Sequence, residues 1–181
     1  MEAALAVIKE HRITLDAIEA IHVQSSQLAL DAAGKMEPAT GLEGKFSIPY
    51  CVANALMRGN TGIAAFTDEM VGDPRIRALM QKITVTLEPD FKTLECRVAV
   101  KRKGGKAFSG FSDILRQIPP LEEKKSRVRN KYVDLCEPVL GQATTAEIAS
   151  EIQCLEDLGE HERLCEEAVR FKDLERSQDG I

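Results

Sequence analysis

Aromatic side chains are scarce in this 181-residue chain: six Phe, two Tyr and no Trp. A core built from it must therefore be aliphatic, drawn from Ile, Leu, Val, Ala and Met. Positive charge is not in surplus either. The formal net charge of −5 excludes a dedicated nucleic-acid binder, which would carry a basic excess. No run approaches the roughly 18 apolar residues of a membrane-spanning helix. The segment Met1 to Glu10 has no basic leader and no small-residue cleavage site, so a helix is expected there and not a signal peptide.

Cysteine pairing signals are missing. Cys51, Cys96, Cys136, Cys154 and Cys165 are odd in number, widely spaced and without a C-x-x-C. That pattern excludes a disulfide framework or zinc ribbon and predicts free, buried or half-buried thiols in a reducing cytoplasm. His11, His22 and His161 have no Cys or carboxylate partner at ligand spacing. No G-x-G-x-x-G, Walker loop, G-x-S-x-G or H-E-x-x-H occurs. Neither a metal nor an organic cofactor is expected.

What is present is a 44 % hydrophobic share, enough for a packed core. A first helix is predicted over Glu2 to His11. Ile18 to Ser25 reads as a strand, with Ile21 and Val23 on one side and His22 and Gln24 on the other. Asp31 to Gly44, rich in Gly, Ala, Pro and Thr, is expected to be an irregular loop. Ser47 then caps a helix with Pro49 in its first turn, an apolar stripe of Ile48, Val52, Ala55 and Leu56, and Gly59 as its stop. Asp73-Pro74 starts another, with Ile76, Leu79 and Met80 inward. Strand alternation follows at Ile83 to Leu87 and Leu94 to Lys101, and Gly104-Gly105 turns a hairpin into Lys106 to Ser112.

After Pro119-Pro120 the period becomes helical, with Val128, Tyr132, Leu135 and Val139 in one stripe. Thr144 to Glu147 has the form of a capping box ahead of Ile148, Ile152 and Leu155. A last helix is predicted over Glu162 to Leu174, with fraying from Ser177. The expected architecture is α+β: about four strands, mostly antiparallel, with flanking helices, in a single domain spanning 1–181 with C-terminal helices at about 121–174.

Chemistry concentrates in one segment, Pro38 to Tyr50. Lys45, Ser47 and Tyr50 place a cation, a hydroxyl and a phenol around a helix start, whose free N–H groups favour a carboxylate. Lys45 would add a full charge and Tyr50 a proton donor. The alternative is equally concrete: Ser47 is only a cap, Lys45 is solvated, and Tyr50 packs against the preceding loop. The basic tip Lys101-Arg102-Lys103 with Lys106 is read as a solvated, edge-protecting turn.

The segment resembles the motif of the MmgE/PrpD family, which includes 2-methylcitrate dehydratases and cis-aconitate decarboxylases. The family pattern, roughly P-x-T-x-x-E-x-K-F-S followed by Tyr and a small-residue helix, stands here as Pro38, Thr40, Glu43, Lys45, Phe46, Ser47 and Tyr50. Leu15 to Ile21, Phe66 to Glu69, Asp73 to Ile76 and Pro119 to Leu158 extend the likeness over nearly the whole chain. The resemblance implies the C-terminal, lid part of a two-domain enzyme whose substrate sits between lid and helical domain. It implies a lyase or isomerase handling small di- or tricarboxylates without cofactor, as in propionate catabolism. By that likeness Tyr50 is catalytic, and Lys45 and Ser47 are substrate-binding. The helical domain has no counterpart in this sequence, so the isolated chain is expected to be inactive. Its partners are expected to be a small polycarboxylate when joined to a helical domain, and another copy of itself, with no nucleic acid or membrane. The alternative is a non-catalytic remnant serving as an association module.

Overall fold

The strand alternation produces a four-stranded sheet. In the computed structural model, which describes residues 1–59 and 62–154, β1 (Ile18–Ser25), β2 (Ile83–Leu87), β3 (Glu95–Arg102) and β4 (Ala107–Asp113) lie in the order β2-β1-β3-β4. β1 pairs in parallel with β2; the β1–β3 and β3–β4 pairs are antiparallel. The fold is α+β with a mixed, mostly antiparallel sheet. The parallel pair has a consequence for function. Parallel neighbours need a long crossover, and the crossover from β1 to β2 is the stretch that contains the whole Pro38–Tyr50 motif.

One face of the sheet is buried. Ile21 lies between Ile83 of β2 and Val100 of β3, and Val23 lies opposite Val98; all five side chains are buried. His22 and Gln24 point the other way, where His22 bonds to the Thr86 hydroxyl at 2.8 Å and Gln24 donates to Glu88 at 2.9 Å. Helix α1 (Glu2–Glu10) packs on β3 and β4. Its approach depends on Gly110, where a Cβ would fall 2.7 Å from a Val7 methyl. The core is aliphatic, as the composition requires, and Tyr50 is its one fully buried aromatic ring among the described residues. Each full burial of a Val or Ile side chain contributes about 1.5–3 kcal/mol.

The crossover holds α2 (Gln27–Ala33), α3 (Gly41–Lys45), α4 (Ile48–Arg58), α5 (Asp68–Gly72) and α6 (Pro74–Met80). α4 has the predicted ends: the Ser47 hydroxyl accepts from the Tyr50 N–H, and Gly59 stops the helix at φ 72°. Asp73 caps α6, and Ile76, Leu79 and Met80 are buried as expected. Gly104 and Gly105 turn the β3–β4 hairpin at φ 95° and 89°.

Several expectations are corrected. Asp31 to Gly44 is not one irregular loop, because α2 and α3 occupy both its ends. Thr40 nucleates α3 by accepting from the Glu43 N–H, which outweighs the helix-weakening effect of Gly41 and Gly44. Thr144 to Glu147 is not a capping box. α8 (Gln142–Gln153) starts earlier, on Gly141 at φ 76°, so the Thr145 N–H is already bonded to the Gly141 carbonyl. In α7 (Leu121–Leu140) the stripe of Val128, Leu135 and Val139 is exposed. Cys154 is also exposed; Cys51, Cys96 and Cys136 are half-buried, and all four are free.

The described residues group into two compact units, Met1 to Val128 and the segment from Arg129. In the second, the Tyr132 hydroxyl donates to the Thr145 carbonyl at 3.1 Å, tying α7 to α8. Leu155, His161, Cys165 and the expected helix from Glu162 to Leu174 lie outside the described residues. No helix among the described residues is long and apolar enough to cross a membrane.

Candidate functional site

The motif folds as a small scaffold around α3. Thr40 and Glu43 cap the helix reciprocally: the Thr40 hydroxyl takes the Glu43 N–H, and the Glu43 carboxylate takes the Ala39 N–H at 2.6 Å. Glu43 also receives Lys35 at 3.0 Å. These bonds, the Ala39 N–H first, hold the Glu43 carboxyl below its usual range. The Asp68 carboxylate accepts the Gly41 N–H at 2.7 Å and fastens α3 to α5. Only glycine fits there, because a Cβ on Gly41 would lie 2.0 Å from the Phe66 carbonyl oxygen. A backbone bridge between Gly34 and Ser47 closes the segment, with the Lys35 N–H on the Phe46 carbonyl at 3.1 Å.

This scaffold separates the three residues that the sequence groups together. Lys45 is exposed at the C-terminal end of α3 and makes no ion pair among the described residues. Its neighbours on the surface are apolar: Leu42 and Phe46, one helical turn apart, are 65 % and 54 % exposed. Ser47 is fully buried, and its hydroxyl is committed to the Tyr50 N–H at 3.2 Å. Ser47, which the resemblance assigns to substrate binding, here uses its hydroxyl to secure the start of α4.

Tyr50 is fully buried too. Its hydroxyl donates to the Ala65 carbonyl, and its ring lies against Phe66 and beside Gly44. A solvent-reachable Tyr50 hydroxyl is therefore not found. The reason is the pitch of α4: the third residue after the cap falls on the same side as Ala53, inside the core that also holds Val71 of α5. Burial raises the Tyr50 pKa above its ordinary value, which keeps the phenol protonated. Burial likewise raises the Cys51 thiol, which donates to the Gly44 carbonyl at 3.5 Å. A thiol held protonated is a poor nucleophile.

A second charged cluster buttresses the far end of α4. Arg58 reaches Asp73 at 3.2 Å and the Met70 sulfur, and Arg75 reaches the same carboxylate at 2.9 Å. The Arg75 guanidinium and N–H, with Arg58, hold the Asp73 carboxyl far below the usual carboxylate range. The cluster joins α4, α5 and α6. Reading by residue type missed both it and the Asp68–Gly41 tie. The local signals were an N-cap Asp before Pro74 and a Thr-Asp pair at the start of α5. Among the described residues, no three His, Cys, Asp or Glu side chains gather as a metal-ligand set.

A mixed four-stranded sheet whose long crossover carries a capped P-x-T-x-x-E-x-K-F-S segment defines a class, and the comparison with known families identifies it. The chain belongs to the MmgE/PrpD family, matching the MmgE/PrpD C-terminal domain over residues 1–157. Among individual proteins it is similar to cis-aconitate decarboxylase of Mus musculus, 25 % identical over 166 residues, which are 86 % of this chain and 34 % of that protein. The chain thus spans about a third of the length of that relative.

Proposed function

We propose that this chain is the lid of a cofactor-independent lyase or isomerase acting on a small di- or tricarboxylate, and that it turns over substrate only when joined to a helical body. The observation that carries this reading is Lys45: a cation with no ion pair among the described residues, on the rigid α3 scaffold of the family motif. Neighbouring carboxylates are already engaged, Glu43 by Lys35 and Ala39, and Asp68 by Gly41. Lys45 is therefore left to meet an external carboxylate. The mouse relative is named for a tricarboxylate substrate, which supports that ligand class here, as it does the 2-methylcitrate chemistry of the wider family.

In this reading Lys45 binds a substrate carboxylate and leaves proton transfer to other groups. Tyr50 is the proton donor, and to act it must exchange the Ala65 carbonyl for substrate. The turn Ile63–Ala65 has to lift for that exchange. The phenol is protonated, and burial, which raises its pKa, makes it a weaker acid until that exchange occurs. The remaining acid and base come from the helical body, since carbon-acid chemistry needs groups on both walls of a cleft.

The test is kinetic, on this chain joined to the helical part of the mouse relative and assayed for cis-aconitate loss. The isolated chain gives no turnover. In the joined protein Lys45→Ala raises KM at least tenfold with a smaller change in kcat, and Tyr50→Phe lowers kcat by roughly 10²–10⁴. Unchanged KM for Lys45→Ala removes the substrate role, and near-wild-type kcat for Tyr50→Phe shows that the phenol only packs.

A second reading, a non-catalytic association module, is favoured by the exposed Leu42 and Phe46 on either side of Lys45. Apolar side chains grouped on a surface mark contact with another protein. Self-association that Phe46→Ser abolishes, together with no turnover in the joined protein, would establish it.

A further inference from the structure

Strand β4 is an open edge of the sheet: among the described residues no strand lies beyond it in the order β2-β1-β3-β4. Open edges are normally blunted by a charge, a proline or a bulge, because their unpaired backbone groups template pairing with another chain. Residues 107–112 have none of the three. They are uncharged and free of proline, and the register with β3 runs unbroken from Ala107 to Asp113. The opposite edge, β2, is only five residues long and is soon followed by Pro89.

The phase of β4 decides which of its backbone groups are free. The Arg102 N–H donates to the Lys106 carbonyl at 2.8 Å. Alternation from that pair turns the backbone of Phe108, Gly110 and Ser112 toward β3, and that of Ala107, Ser109 and Phe111 outward. The side chains of Ala107, Ser109 and Phe111 are exposed, Phe111 at 48 %.

The strand is complementary to itself. In an antiparallel pair of two β4 strands centred on Ser109, Ala107 falls opposite Phe111 of the other copy, Ser109 opposite Ser109, and Phe108 opposite Gly110. Each ring therefore meets Ala or Gly, and a ring over a cross-strand glycine is a favourable pair. Phe108 is already oriented by the His11 ring, stacked at 4.2 Å. A register two residues along would set Ala107 against Asp113, whose carbonyl is taken by the Arg116 and Gln117 N–H groups. Charge selects the same direction. Antiparallel strands bring the Lys106 end of each to the Asp113 end of the other, whereas parallel strands set like charges side by side.

Helix α1 leaves room for this approach. It packs on β3 and β4 together, close over Gly110. On a continued sheet its copy would lie two strand spacings away, about 9–10 Å. Helices pack at about 8–10 Å, so the two α1 helices would meet without clashing.

We propose that β4 is a dimerisation edge, which pairs antiparallel about Ser109 with β4 of a second copy and joins the two sheets into one. The edge shares no residue with the Leu42 and Phe46 patch of α3, and it does not rest on the catalytic reading.

Sedimentation of the full 181-residue chain over a concentration series, with amide exchange read by NMR, tests the proposal. The expected result is a monomer–dimer equilibrium. The amides of Ala107, Ser109 and Phe111 gain protection as the dimer fills, while those of Phe108 and Gly110 are protected at every concentration. Ser109→Pro removes an outward N–H at no cost to the β3–β4 ladder, and Ser109→Lys sets two like charges face to face. Each should weaken dimerisation by roughly tenfold or more. Retained protection of Phe108 and Gly110 reports an intact hairpin, and Ser109→Lys decides the matter if proline disturbs it. A chain that stays monomeric at the concentrations used for NMR overturns the proposal. So does a dimer that both variants retain; if Phe46→Ser then dissolves it, the interface is α3. Protection of Ala107, Ser109 and Phe111 that does not vary with concentration also overturns it, in favour of cover from within the chain.

Discussion

Helices α4 and α7 carry apolar stripes of similar regularity, and the two stripes end in opposite surroundings. Val52, Ala55 and Leu56 of α4 are buried, in company with Ile76, Leu79 and Ile83. Val128, Leu135 and Val139 of α7 face outward. Period alone says which residues share a side of a helix. It does not say whether the chain supplies something to lie against. For α4 the supply is close at hand: Gly59 ends the helix, α6 returns along it, and β2 follows directly. For α7 the described residues supply α8 on the side of Tyr132 and Thr145, and leave Val128, Leu135 and Val139 exposed.

The largest effect that would sharpen this contrast is at Tyr50. Tyr50→Ala should cost about 3–5 kcal/mol, the range for truncating a large buried ring. Chemical denaturation of the purified chain measures it. A loss under 1 kcal/mol would mean that the buried side of α4 at Tyr50 is no better packed than the exposed stripe of α7.

The charge cluster at the end of α4 predicts a dependence on pH. The Asp73 pKa is depressed in the folded protein, so its contribution to stability is complete above the unfolded value, near 3.8. It fades as pH falls from there toward the folded value. Asp73→Asn keeps a capping side chain and loses the two arginine pairs. It should therefore lower the melting temperature at neutral pH and flatten the wild-type decline below about pH 4. Parallel melting curves for wild type and variant from pH 6 to pH 2, with no difference in slope, would show that the arginines do not couple to folding.

The smallest effect belongs to α7. Val139→Ser should leave unfolding of the sheet unit within about 0.5 kcal/mol of wild type, as for an ordinary surface change. Circular dichroism melts read at β-sheet wavelengths check this. A shift comparable to that of a core truncation would mean that the stripe supports the sheet after all.

Local rules carried most of the fold. The β1 boundaries, the Ser47 and Asp73 caps, the Gly59 stop and the Gly104-Gly105 turn are set by near neighbours in sequence, and each was legible. The α3 cap was written in the same language, as Thr40 and Glu43, but the glycines on either side masked it. The false capping box at Thr144 shows the reverse. A single glycine conformation at Gly141 started α8 one turn early and made Thr145 an interior residue.

The sequence by itself determined the aliphatic core, the alternation that selects the inner face of the sheet, and the motif that marks the family. Those are short-range properties of residue type and spacing. Only the tertiary structure decided where the motif side chains go. Lys45, Ser47 and Tyr50 lie within six residues of one another, yet Lys45 is exposed while Ser47 and Tyr50 are fully buried. That division depends on the Ala65 carbonyl and the Phe66 ring, which reach Tyr50 from a turn fifteen residues away. A helix start offers the same local pattern whether its face meets solvent or a neighbouring turn, and packing between distant segments makes the choice.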